Sequence, residues 1–387
     1  MKRILICSDG VDSPNKGDQA ILVSMLADIK MVFPDLKIET ISRSAVRTPI
    51  AVFRFICAVM RNDILVMGGG HPFQDLTSQC FLLVSLLEII VAKICCRPVF
   101  CYAIGAGPIV SSLGKFLMPK VLNLADVICV RDRSSAELLA SLGVKKEKLV
   151  LSADPAFRLE PAPEVRIEQI FLSENIDRSK PIVAFCPRRW FCFHGQFFPQ
   201  KPDSSEIENN VRAQTLTRHL TGVLNGFLKQ HDVNLLFVMT RRAGNEEVCG
   251  QDDDIYAEQL KELLKDKFRV QILQGDYTPA ELKGILGRCA MVVSVRMHAI
   301  IFAAAMGVPP VGIAISKAKG QGIFEKLAQP NCYLPIEDVN SDRLLNLAND
   351  VFEKREEISL ELRARMKELS QEPLINIEQL KKFVSGI

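Results

Sequence analysis

Short apolar, β-branched runs alternate along this chain with longer amphipathic stretches. The runs predict strands at 3–9, 37–42, 63–70, 98–107, 127–132 and 149–154, and again at 181–189, 233–241, 269–275, 291–296, 309–316 and 331–336. Between them, stretches such as GDQAILVSMLADIKMVF, DIYAEQLKELLK and TPAELKGILGR carry apolar residues at helical spacing. SSAELLASLG is another helix, with Gly143 as its C-cap. Strand–helix alternation predicts parallel sheets covered by helices on both faces. The segment 158–180 breaks the rhythm with two prolines, many charges and little periodicity. It predicts an N-terminal Rossmann-like domain over 1–160, a linker over 161–180 and a C-terminal Rossmann-like domain over 181–387 with a long helical tail.

Composition narrows the class. The chain has 387 residues, enough for two cores, and 48% are hydrophobic. A net charge of only +3 argues against nucleic acid as the main partner. The twelve cysteines form no CxxC pair. Cys7, Cys57, Cys101, Cys129, Cys186 and Cys289 fall in apolar elements, as reduced thiols of a cytosolic protein would. MKRILICSDG reads as a first strand, too short in its apolar run for a signal peptide. The most apolar stretch, CFLLVSLLEIIVAKICC, is interrupted by Glu88 and Lys93 and reads as a buried helix. The alternative is that its surroundings touch a membrane surface.

Ligands of open parallel sheets bind outside the carboxyl ends of the strands. In the second half, the residues following the strands are Arg188 and Arg189, Arg241 and Arg242, Gly275 and Asp276, Arg296 and His298, then Ser316, Lys317 and Lys319. Four of these five ends are basic. In SVRMHAIIFAAAMGVPP, Arg296 and His298 occupy the turn between a strand and a small-residue helix. That helix start directs free N–H groups at the same point, so the stretch suits an anion. The first half is lined differently: Asn15, Gly17 and Asp18; Gly68, Gly69, Gly70, His71, Gln74 and Asp75; Gly105 and Gly107; Arg131 and Asp132; and Asp154. Glycine, amide and carboxylate suit a polyol, and the glycine run could cradle a phosphate. No dinucleotide fingerprint, P-loop, HExxH or GxSxG is present. Asp252, Asp253 and Asp254 contain a nominal DxD, which reads as a helix N-cap. We expect neither a metal nor a cofactor.

NKGDQAI (15–21), DILVMGGGHPFQD (63–75), YAIGAGP (102–108), VRDRSSAELLASLGV (130–144), SADPAF (152–157) and SVRMHAIIFAAAMGVPPVGI (294–313) resemble, in order and spacing, the polysaccharide pyruvyl transferase family. The resemblance implies a GT-B-like pair of Rossmann-like domains facing across a cleft. It also implies transfer of the pyruvyl group of phosphoenolpyruvate, a donor substrate, to a sugar as a cyclic ketal in cell-surface glycan synthesis. Arg296 and His298 fall on the family's RxH motif, associated with the donor. On this reading Arg188 and Arg296 hold the donor anions with Lys317 in support, and His298 is phosphate ligand or proton donor. Asp18 or Asp75 is the base on the acceptor. Arg189, Arg241, Asn15, Gly69, Gly70, His71, Gln74 and Gly105 complete the substrate-binding set. The chain departs from the family in ISKAKGQG, basic and small after the GVP strand, and in WFCFHGQFFPQKPDSS (190–205). The rival readings are a GT-B glycosyltransferase using a nucleotide sugar, with Glu325 as ribose-binding carboxylate, and a non-catalytic binding protein. The acceptor, free or lipid-linked, stays open, as does a homo-oligomer. The expected location is cytoplasmic, at the inner membrane face if the acceptor is lipid-linked. The aromatics Trp190, Phe191, Phe193, Phe197 and Phe198 read as a lid or acceptor contact, or as a membrane contact.

Overall fold

The computed structural model describes residues 2–43, 49–189, 197–198, 207–242, 253–315 and 317–386; for residues 49, 207–210 and 317–319 only the backbone is described. Among the described residues, twelve strands form two sheets. The first holds β1 (Arg3–Ser8), β2 (Lys37–Ser42), β3 (Ile64–Phe73), β4 (Val99–Ala106), β5 (Val127–Val130) and β6 (Leu149–Leu151). The second holds β7 (Ile182–Cys186), β8 (Asn234–Phe237), β9 (Val270–Ile272), β10 (Met291–Ser294), β11 (Pro310–Ala314) and β12 (Tyr333–Pro335). Every pairing is parallel. Strands this apolar need helices on both faces: all eight residues of β4 are buried, as are all five of β7.

The helices are α1 (Lys16–Val32), α2 (Pro49–Arg61), α3 (Gln79–Ile94), α4 (Ser112–Leu122), α5 (Arg133–Ser141), α6 (Glu164–Ser173), α7 (Ile207–Gln230), α8 (Asp253–Leu263), α9 (Pro279–Leu286), α10 (Met297–Ala305), α11 (Lys317–Lys326), α12 (Ser341–Glu353), α13 (Arg355–Leu369) and α14 (Leu374–Gly386). One face of the first sheet is covered by α2, α3, α4 and α5. The other is covered by α1 and α14, whose Ile377, Leu380 and Val384 join Ile4, Ile6 and Phe100.

Sheet order locates the crevices. The first sheet runs β2-β1-β3-β4-β5-β6 and the second β12-β11-β10-β7-β8-β9. The order therefore reverses between β1 and β3, and between β10 and β7. A ligand crevice opens at such a reversal, because the two connections leave in opposite directions.

Two features differ from the sequence expectation. The segment 161–180 is not a bare linker, since α6 buries Ile167, Ile170 and Phe171 in the core of the second sheet. Its flanking prolines and charges mask an amphipathic turn pattern. The C-terminal tail also does not stay with the second sheet. Asn376, fully buried, accepts from Ser152 Oγ at 2.9 Å and donates to Ala153 O at 3.3 Å, and α14 crosses back to the first sheet. The expected buried helix at 80–96 is α3, with Glu88 fully buried. Among the described residues, no helix is long and apolar enough to cross a membrane.

The two carboxyl edges are tied together. Lys16 N donates to Thr240 O at 2.9 Å, Asn15 and Arg241 form an antiparallel bridge, and Lys16 Nζ pairs with Asp276 at 2.8 Å. Behind the edge, Lys283 donates to Leu159 O at 2.5 Å and Phe157 O at 3.3 Å, pinning the crossover. Burial pushes the Lys283 ammonium down to about 8.

Candidate active site

The loop after β10 is wound tightly. Ser294 Oγ accepts from Arg296 N at 2.9 Å and donates to Arg296 O at 2.8 Å. This fixes Arg296 as the residue just before α10, and His298 in its first turn. The buried Arg296 guanidinium grips Asp253, with Nε at 3.2 and 3.1 Å from the two carboxylate oxygens and Nη2 on Oδ1. Asp253, which opens α8, also accepts from Arg241 N at 3.1 Å. The nominal DxD thus contributes a buttress for an arginine; Asp252 lies outside the described residues.

Arg188 reaches the same point from the end of β7. Burial, and then the positive charges of Arg296 and Arg241, hold its guanidinium down to about 9, with Asp253 offsetting them in part. Burial pushes the Asp253 carboxyl up, while Arg296 and Arg188 oppose that shift. The Arg296 and Arg188 guanidiniums therefore share one carboxylate at the reversal between β10 and β7, and the Arg241 charge acts on Arg188 from beside them. The local excess of positive charge is what a small polyanion would neutralise.

His298 faces the first domain. Gly17 lies against its ring: a Cβ there would stand 1.9 Å from His298 Nδ1. The other ring nitrogen stands 3.5 Å from Asp154 Oδ2. Asp154 also pairs with Arg131 Nη1 at 2.7 Å and caps its own turn through Ala156 N at 2.9 Å. Burial alone would raise the Asp154 carboxyl, but Arg131 and then the nearby His298 ring outweigh it and hold Asp154 well below the usual carboxylate range. Asp154 is therefore an anion that orients both a histidine and an arginine.

Asp18 completes the first-domain wall. Asn15, the N-cap of α1, accepts from Gly17 N at 3.0 Å and donates through Nδ2 to Asp18 Oδ2 at 2.8 Å. Burial and then the charge of Asp9 push the Asp18 carboxyl up, against the pull of His298, Arg131 and Asn15. Gly70, at φ +92°, separates the two acids: a Cβ there would lie 3.7 Å from Asp9 Oδ2 and 3.8 Å from Asp18 Oδ1. Asp9 is held from below by Arg43, which is buried and also donates to Glu88 at 3.1 and 3.3 Å.

Several expected site residues prove to be braces. Asp75 is fully buried and accepts from Val110 N at 2.6 Å, Ser111 N at 3.0 Å and Ser111 Oγ at 2.5 Å. It anchors the start of α4, and those three bonds hold its carboxylate to the α4 turn. Gly69 lies inside β3 and admits Ile21 of α1, since a Cβ would come 2.3 Å from that side chain. It gives helix–sheet contact, not a phosphate cradle. Gln74 accepts from Thr77 N at 3.0 Å within its own loop. Gly105 makes room for His71 and Arg131, which stand 3.4 Å apart; His71 also bonds Gly107 O. Burial pushes the Tyr256 phenol up to about 12, and the Thr217 hydrogen bond and then the Arg189 charge partly offset it. Arg242 turns away to Leu273 O at 2.6 Å. Lys317 opens α11, and its side chain lies outside the described residues, as do Ser316, Trp190, Phe191 and Phe193. Glu325 is exposed and accepts from Gln321 at 2.7 Å.

From the sequence alone, Arg131 and Asp154 are named at strand ends without a role for either, Asp253 reads as part of a helix cap, and Asp9 is not named. Asp9, Arg131 and Asp154 follow strands of the first sheet, and Asp253 follows β8 at a helix start. Position alone signalled them, without a motif that separates a ligand from a cap.

Two parallel-sheet α/β domains with a cationic crevice on one side and carboxylates on the other define a GT-B-like architecture. The family model of polysaccharide pyruvyl transferase matches residues 15–317, and the chain belongs to that family. The amylovoran biosynthesis protein AmsJ of Erwinia amylovora is 22% identical over 310 residues, covering 79% of this chain and 69% of AmsJ. HepE of Anabaena, solved with UDP and glucose, superposes with a TM-score of 0.61 at 15% identity over 100% of both chains. The UDP-GlcNAc 2-epimerase of Neisseria meningitidis, solved with UDP-GlcNAc, gives 0.62 at 9% identity over 99% of this chain and 100% of its own. At these identities the solved structures share the fold.

Proposed function

We propose that this protein transfers the pyruvyl group of phosphoenolpyruvate to two hydroxyls of a saccharide, forming a cyclic ketal. The observation that carries this is the pairing of Arg296 and Arg188 on one buried carboxylate, Asp253, with the Arg241 charge acting on Arg188 and His298 two residues beyond Arg296. Phosphoenolpyruvate is small and bears a carboxylate and a phosphate, so it needs several cations in a shielded place. Planar guanidiniums bind both groups bidentately.

In this reading Arg188 and Arg296 hold the donor and Arg241 supports them. His298, at the start of α10, contacts the phosphate or delivers the proton to the enol methylene. The methylene becomes a methyl group and C2 becomes electron-poor. A first acceptor hydroxyl forms a C–O bond to C2 and gives up its proton to Asp18, whose raised affinity suits that role. A second hydroxyl then forms the other C–O bond as the C2–O bond to phosphate breaks, and its proton leaves with the phosphate. Asp154 keeps the imidazole aimed across the crevice.

The test is incubation with phosphoenolpyruvate and a panel of free and lipid-linked saccharides. It is read as acceptor-dependent phosphate release and as acid-labile pyruvate in the product. His298→Ala and Arg296→Lys should lose both signals while melting close to the wild type. Wild-type turnover by either variant contradicts the assignment.

A further inference from the structure

The first turns of α2, α3 and α4 all lie at the carboxyl edge of the first sheet, because each helix follows its strand antiparallel. That edge is the acceptor wall of the crevice. Its outer face carries large apolar side chains in water: Ile50 and Phe53 on α2, Leu113 and Phe116 on α4. Beside them, Phe197 and Phe198 pack edge to face, and Phe197 O accepts from Cys80 N at 2.9 Å and Ser78 Oγ at 3.0 Å at the start of α3. The same layer also exposes Met60 and Ile94 near the far ends of α2 and α3, but the four phenylalanines are grouped towards the carboxyl edge, and a group of large exposed apolar residues marks an interaction surface.

The charge on this layer is one-sided. Arg54 and Lys115 are exposed beside the apolar residues, and Lys120, from the last turn of α4, reaches back to lie 3.5 Å over the Phe116 ring. Between Glu39 and Asp126 the chain has only three acids: Asp63, Asp75 and Glu88. Asp75 and Glu88 are fully buried. Asp63 begins β3 at the opposite edge, where it accepts from Arg3 N at 2.8 Å. Among the described residues of these three helices, no acid is exposed. Apolar side chains ringed by cations and cleared of anions complement an anionic lipid surface, which needs both signals for stable attachment.

We propose that this edge docks on an anionic bilayer and brings the crevice to the membrane plane. If the proposed reaction holds, the acceptor is then a lipid-linked saccharide whose head enters past α2 and α4. Docking itself does not depend on that reaction, and its test uses no donor.

The experiment is co-sedimentation of the full chain with vesicles of phosphatidylcholine alone or mixed equally with phosphatidylglycerol. Binding should appear with the anionic vesicles, be at least about tenfold weaker with the neutral ones, and fall with added salt. Phe53→Ser with Phe116→Ser, and separately Lys115→Gln with Lys120→Gln, should each weaken binding by about tenfold with unchanged melting. No sedimentation with anionic vesicles overturns the proposal, whatever the variants do. So does wild-type binding by both double variants. A wild-type dimer that the Phe pair renders monomeric, without vesicle binding, assigns the face to a second copy and also overturns it.

Discussion

Gly17→Ala adds one methyl group at the point where the two domains bring their chemistry together. The new Cβ would stand 1.9 Å from His298 Nδ1, 2.4 Å from its Cγ and 2.7 Å from its Cε1. Carbon contacts are comfortable at about 3.5 Å, so the ring must retreat by about 1.5 Å. That takes Nε2 off its 3.5 Å approach to Asp154. The backbone does not resist, because Gly17 is the second residue of α1 and alanine favours a helix by about 0.5–1 kcal/mol. The displaced ring offsets that gain, so the melting temperature should change little. A reacting group displaced by about 1 Å costs about a hundredfold in rate. The assay is phosphate release from phosphoenolpyruvate, with a saccharide the wild type accepts, beside a thermal melt. Near-wild-type turnover in Gly17→Ala would refute the placement of His298 at the reacting centre. A large fall in melting temperature would refute the claim that Gly17 serves the site rather than the fold.

Other consequences follow from buried charge. Asp154→Asn should cost about 2 kcal/mol at neutral pH, less than the about 3–5 of a fully buried pair, because Arg131 is partly solvated. A carboxyl held below its usual value of 3.8 stabilises above that value and loses the contribution as pH falls through its folded value. The gap between wild type and Asp154→Asn in urea melts should therefore narrow below about pH 4; a gap constant with pH would contradict the ion pair. Glu88 runs the other way. Burial pushes its carboxyl up to about 7, though Arg43 opposes the shift. The native state then holds a proton that the unfolded chain has released, so stability falls as pH rises from about 4.5 to about 7, by at most about 3 kcal/mol. Glu88→Gln should flatten that slope; an unchanged slope assigns it to another group.

Much of the fold was legible, for a physical reason. Fully buried parallel strands must be short apolar runs, so β4 and β7 stood out plainly between helical stretches, and the half-exposed edge strands β2, β6 and β12 were carried by the alternation itself. The RxH turn was legible because a cation pair in an apolar segment is costly unless it has a task. Sheet order was not: nothing local says that β3 returns beside β1, or β10 beside β7, and those reversals place Arg188 next to Arg296. Asp75 and Asp18 looked alike in sequence, and only their partners separate a satisfied cap from a perturbed acid. Asp253 was hidden as one of three aspartates, distinguishable only by the arginine it meets 43 residues on. The helix at 164–173 was hidden between prolines, because a single buried stripe is a weak signal beside strong breakers.

The most direct test of the arginine cluster is a calorimetric titration of phosphoenolpyruvate into the wild type and into Arg188→Met, with melts of both. Arg188 is half-buried among like charges, so its removal should stabilise the apoprotein by about 1–2 kcal/mol after allowing for solvent screening. Saturable binding by the wild type, lost in a variant that melts higher, is the predicted result. Undiminished binding in Arg188→Met, or no binding by the wild type while a nucleoside diphosphate binds, would contradict the account.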